Sequence, residues 1–139
     1  MNPGVLVDST VWSLALRRPT SSIHRETGEF GALSREGRVR IIGPVRQEVL
    51  SGIRSAEHFL VVRERLRSFP DLVLETRDFE RAAEMFNRCR ARGVQGSHTD
   101  FLICAVAERH DLAVFTTDVD FRRYGRVIPL RPHAVRPQA

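Results

Sequence analysis

SHTDFLICAVAERHDLAVFTTDVDF, residues Ser97–Phe121, decides how the chain is read. Asp100 opens a helical stretch and shares one stripe with Ile103, Cys104 and Ala107, at i, i+3, i+4 and i+7. An apolar strand, Ala113–Phe115, follows at once, and Asp118 and Asp120 stand where it runs out. The stripe packs on a sheet, which hangs the Asp100 carboxylate over the sheet's edge. In a parallel sheet the strand ends and the helix starts gather on one rim, where ligand sites form. Acids from separate elements therefore meet there.

Outward from this stretch, strands and helices alternate. Val5–Val7 reads as a buried first strand ending in Asp8, with a helix capped by Ser9 or Thr10 running to Leu16. Ile23–Arg35 reads as a second helix and Val39–Ile42 as a second strand. Pro44 starts a helix that carries Glu48 and stops at Gly52. A helix over Ala56–Arg67, capped by Ser55, precedes a short strand, Leu72–Leu74, and a charged helix from Asp78 to Arg92. After the central stretch come a helical turn, Phe121–Tyr124, and a last strand, Val127–Leu130. The pattern predicts an α/β fold with a mainly parallel sheet between helices. It forms a single domain over residues 1–130, with a loose tail over 131–139.

Composition narrows the function. At 139 residues the chain can bury a real core. No stretch approaches the roughly 18 apolar residues of a membrane span, and the N-terminus lacks signal-peptide features. Two cysteines, Cys89 and Cys104, make neither a disulfide framework nor a zinc quartet, so a cytoplasmic protein with reduced thiols is expected. The formal charge is 22 − 17 = +5, and every one of the 22 cations is arginine. Arginine's planar fork suits phosphate, and a basic surface favours polyanions. Missing lysine excludes Walker, Schiff-base and receiver-type chemistry. It also weakens a dehalogenase-like phosphotransferase reading of Asp118-Val119-Asp120.

Asp8, Glu48, Asp100 and Asp118 each lie where a strand ends or a helix begins. Each alone has a plainer role: a helix cap for Asp8, a solvated helix position for Glu48, a favourable charge near a helix start for Asp100, a turn for Asp118. Gathered on one rim they repel, at roughly a kcal/mol or more per close pair. A hard divalent cation offsets that repulsion, because Mg2+ and Mn2+ take carboxylate oxygens; nearby arginines are the structural alternative. A cation so held suits hydrolysis of a phosphodiester. Asp120, Ser9, Thr10, Thr116 and Thr117 are secondary candidates. Arg17, Arg18, Arg46, Arg54, Arg122 and Arg123 are candidates for phosphate contact. Trp12 is either core or groove lining, and His98 reads as a loop histidine, since Mg2+ prefers oxygen.

VLVDSTVW, PVRQEVLSG, HTDFLICAVA and VFTTDVDF together resemble the PIN-domain ribonucleases, and among them the VapC toxins of bacterial toxin–antitoxin pairs, from Val5 to about Leu130. The resemblance implies a PIN-like α/β/α sandwich with an acidic pocket. Asp8, Glu48, Asp100 and Asp118 match the four family acids, and Asp120 falls where the family varies. It implies Mg2+-dependent cleavage of a structured RNA such as a tRNA or an rRNA loop, with Mn2+ able to substitute and translation inhibited. It further implies a homodimer neutralised by a cognate VapB-type antitoxin. The alternative is a non-catalytic module of the same fold that binds RNA or a partner.

Overall fold

A computed structural model describes residues 3–17 and 25–137, except the side chain of residue 17. Four strands form one sheet in the order β3-β2-β1-β4, with every pairing parallel. β1 (Val5–Val7) lies between β2 (Val39–Ile42) and β4 (Ala113–Phe115); β3 (Asp71–Leu72) lies outside β2. Register sets Val5 opposite Val39 and Ala113, and Val7 opposite Phe115. All of β1 is buried, as its unbroken apolar run requires of a central parallel strand.

Seven α-helices connect and flank the strands in the described residues. They are α1 (Ser9–Trp12), which widens into a π-helical turn over Ser13–Arg17, α2 (Arg25–Arg35), α3 (Gly43–Ser51), α4 (Ala56–Leu66), α5 (Thr76–Ala91), α6 (His98–His110) and α7 (Asp120–Tyr124). Ser55 and Ser97 cap α4 and α6, each accepting from the backbone N–H three residues on. α6 packs on both α5 and β4. For that reason its burial runs unbroken from Phe101 to Ala107, wider than the single stripe in the sequence. Trp12 is core: its ring meets Phe30 and Phe69 edge-on at 4.9 and 5.0 Å, and its Nε1–H donates to the Val7 carbonyl.

Two strand assignments differ from the sequence reading. β3 begins at Asp71 and ends at Leu72, because the Val73 carbonyl accepts instead from Arg109 Nη2. Val127–Leu130 is not a strand. The amides of Val127 and Ile128 turn back to the Tyr124 carbonyl, and Pro129 has no N–H for a ladder. Sheet pairing returns only as one parallel bridge, Val114 to Pro132. Its bonds come from the Arg131 carbonyl and the His133 N–H, so the proline needs no donor.

The segment after Leu130 is accordingly docked, not loose, as far as residue 137. Glu29 is buried on α2 and needs cations; His133 Nε2 lies 2.5 Å from it and Arg136 Nε 3.0 Å. Arg136 also bridges to Glu36, and Arg131 to Asp111.

Candidate active site

Parallel pairing sends the carboxyl ends of β1, β2 and β4 to one rim. α6 runs back against β4, so its first turn reaches the same rim. The Asp8 N–H donates to the Phe115 carbonyl, which ties the start of α1 to the end of β4.

Asp8 occupies the N-cap position of α1, but its side chain makes no cap bond. Its own carbonyl accepts from Val11 and Trp12 in the helix, which frees the carboxylate. Asp8 as a whole is only 4% exposed. Its Oδ2 accepts from Thr10 Oγ1 at 3.0 Å and from Thr116 Oγ1 at 2.7 Å. Thr10 Oγ1 in turn accepts from the Thr117 N–H, and Thr116 Oγ1 from the Asp118 N–H. Two threonines thus position Asp8 and tie it to the loop bearing Asp118. Across the rim, exposed Glu48 accepts from Ser9 Oγ at 2.9 Å.

Asp100 stands in the first turn of α6, and its Oδ2 accepts from the Tyr124 hydroxyl at 2.6 Å. Burial pushes its carboxyl above the usual range; the Tyr124 and Ser97 hydrogen bonds pull it down, and the charges of Asp8 and Asp118 push it up again. Those last two influences place Asp8 and Asp118, from two other elements, within electrostatic reach of Asp100. Burial and the neighbouring Asp100 raise the Tyr124 phenol, which stays protonated as a donor. Cys104, buried beneath Asp100 and Asp8, is pushed up in the same way and remains a thiol.

Asp118 gives one oxygen to its own turn, accepting from the Asp120 N–H at 2.9 Å. Asp120 lies 3.8 Å from Arg123. Arg46 is committed inside the fold: it donates to Asp71, Leu66 and Phe69, which leaves no free fork for phosphate. Arg54, Arg122 and Arg123 are exposed. Arg18 and the side chain of Arg17 lie outside the described residues. His98 stacks on Phe86 with ring centroids 5.0 Å apart.

Tyr124 is the contact the sequence reading missed. Its signal is that the chain's only tyrosine follows Phe121 at i+3, which returns a hydroxyl toward the acids. Gly96 belongs with it: a Cβ there would stand 2.3 Å from the Tyr124 hydroxyl oxygen.

Among the described residues, no arginine or histidine pairs with Asp8, Glu48, Asp100 or Asp118. No three His, Cys, Asp or Glu side chains converge closely enough to cage an ion as they stand. The carboxylates are each drawn to a neighbouring donor: Thr10 and Thr116, Ser9, Tyr124 and the Asp120 amide. As a donor set they still fit a hard divalent cation. They are carboxylates only, three of them partly desolvated, and among the described residues none has a paired counter-charge.

A parallel α/β sheet with acids at the carboxyl ends of its strands, unpaired with any cation among the described residues, defines an α/β protein with an acidic rim. The PIN domain family model matches residues 5–127, and the chain belongs to that family. PIN domains are generally nucleases, and PIN nucleases generally use divalent metals. Two solved structures share the fold. FitAcB from Neisseria gonorrhoeae has a TM-score of 0.73 at 20% identity, covering 94% of this chain and 96% of the other. FitAB bound to an IR36 DNA fragment has a TM-score of 0.71 at 18% identity, covering 93% of each. No curated protein matches the sequence.

Proposed function

We propose that this chain is a Mg2+-dependent endoribonuclease of the VapC kind, cutting a structured RNA and so stopping translation. The observation that carries the reading is that Asp8 and Asp118 lie within electrostatic reach of Asp100, with no arginine paired to any of the three among the described residues, in a protein with 22 of them. Asp8, Asp100 and Asp118 would hold the ion, with Glu48 beside them. A bound Mg2+ supplies Lewis acidity and a water made more acidic.

The chain's own residues do the positioning. Thr10 and Thr116 fix the Asp8 oxygen, Tyr124 fixes Asp100, and Ser9 holds Glu48 at the rim. Exposed arginines, Arg122 and Arg123 among them, offer forks to the RNA backbone. Hydrolysis joins a water oxygen to phosphorus and releases the 3′-oxygen, which takes up a proton. The products are a 3′-hydroxyl and a 5′-phosphate. The same reading takes the protein as a cytoplasmic homodimer with a VapB-type antitoxin; one fold neighbour, FitAB, is likewise named as an assembly.

The absence of a ready-made cage among the described residues favours one other reading, a non-catalytic module that binds RNA or a partner. Total bacterial RNA incubated with the purified chain separates them, in Mg2+, in Mn2+ and in EDTA, beside Asp100→Asn. The nuclease gives discrete fragments only with metal and only with Asp100. RNA held in EDTA and never cut belongs to the binder.

A further inference from the structure

A cavity of about 450 Å3 opens beside the acid rim and shares Thr116, Thr117 and Asp118 with it. That volume lies in the range of small-ligand sites, about 300–1,000 Å3. Besides Val114, Gly125 and His133, the last held by Glu29, its remaining walls are of two kinds. Phe121, Leu130 and Pro132 form an apolar side, and Val119 stands at the cavity 60% exposed. Arg122 and Arg126 form a basic side.

These two arginines are among those left unengaged in the described residues. Arg38, Arg46, Arg81, Arg109, Arg131 and Arg136 all pair with carboxylates. The side chains of Arg122 and Arg126 make no hydrogen bond or ion pair with any described residue. Asp118 is the acidic group on the cavity wall, and one of its oxygens is held by the Asp120 amide. Unpaired cations against apolar surface, next to a hydrolytic centre, match one chemistry: a base with its phosphate. An aromatic base gains from leaving water for Leu130, Pro132 and Val119, and a phosphate takes an arginine fork.

We propose that this cavity is a nucleotide subsite, receiving the base and phosphate of the residue that flanks the scissile bond. It thereby contributes to which RNA is cut. The inference rests on the nuclease reading above and adds where the strand is gripped. The wall shared with the rim puts the bound nucleotide's next phosphodiester toward Asp118 and Asp8. Arg122 and Arg126 act on binding and Asp100 on the reaction.

The test uses the full chain in EDTA, so that binding is read without reaction. 5′-AMP, 5′-CMP, 5′-GMP, 5′-UMP and inorganic phosphate are titrated while backbone amide resonances are followed. At least one nucleotide should saturably shift residues 117–126 and 130–133, about tenfold more tightly than phosphate alone, since base contact adds a further kcal/mol or so. Arg122→Glu, on the surface, and Leu130→Trp, which fills the cavity, should each weaken that binding about tenfold and raise the KM for RNA, with kcat little changed. No saturable shift at millimolar nucleotide, or binding untouched by both variants, overturns the subsite. Lost mononucleotide binding with an unchanged KM for RNA also overturns it, since the site would then take only free nucleotide. A chain that cuts RNA but binds no nucleotide here loses this inference alone. One that binds nucleotide here but never cuts RNA loses the nuclease reading.

Discussion

Asp8 and Asp78 are both nearly inaccessible carboxylates, 4% and 1% exposed, and the fold treats them in opposite ways. Asp78 accepts a bidentate fork from Arg109 at 2.6 and 2.8 Å, and the Glu75 amide closes the α5 capping box on it. Glu29, 3% exposed, is likewise held by Arg136 and His133. Among the described residues Asp8 has two threonine hydroxyls and no cation, and Asp100 beside it has only the Tyr124 phenol and the Ser97 hydroxyl. A buried carboxylate that serves structure is neutralised from within. On the proposed reading, one set among like charges without an internal partner is there for a cation from outside, and the contrast separates the acids that build the protein from those proposed to react.

The largest effect should come from the uncompensated side. Asp100→Asn is expected to lower metal-dependent RNA cleavage by about a hundredfold or more, since several kcal/mol of charge stabilisation go with the ion. Its thermal stability should stay level or rise, because a repelling charge is removed. A melting temperature that fell as far as in an Asp78 variant would erase the contrast.

Asp78→Asn is the mirror experiment. It leaves Arg109 facing a neutral amide, and the melting temperature should fall by about 5 °C or more. Cleavage per folded molecule should not change. Calorimetry and initial rates on the same sample check both halves.

Tyr124→Phe removes the donor that holds Asp100, and Gly96→Ala pushes the ring away from it. Each should cost about tenfold in cleavage rate, the scale of losing a positioning hydrogen bond behind a metal-holding side chain. Neither should abolish folding. Rates equal to wild type in both would remove Tyr124 from the account.

The smallest effect is in the pH dependence of metal-free stability, and the two regions carry opposite signs. Asp100 is held above the usual carboxylate range, so its ionised form burdens the fold; acidification through its raised value relieves that burden and stability rises. For Asp78, burial pushes up but Arg109 and the Glu75 amide prevail, leaving it below the usual range. Its contribution is present above the unfolded value and lost as pH falls through the lowered one. Asp100→Asn should therefore delete the rise, and Asp78→Asn should flatten the later fall. Melting curves across the acid range read both.

Much of this was legible in the chain. The run Val5–Val7, the helix–strand pair ending at Phe115 and the order of the acids point to a parallel sheet with an acidic rim, because a central parallel strand is covered on both faces and reads as a near-continuous apolar run. What stayed hidden depended on long-range partners. Nothing local to Arg46 says that Asp71, Leu66 and Phe69 will consume it. The tail looks unstructured until Glu29, more than a hundred residues earlier, is found buried and in need of cations. Val127–Leu130 has strand composition, yet the Tyr124 carbonyl captures its amides first. Tyr124 reads as core aromatic, and only the close approach at Gly96 shows where its hydroxyl goes.

Thermal unfolding of the metal-free chain under a Mg2+ titration tests the central claim most directly, with Asp8→Asn and Asp100→Asn alongside. Ligand that binds only the folded state raises its stability with concentration. Wild type should show a saturating rise that both variants lose. No rise in wild type, or an equal rise in the variants, would contradict it.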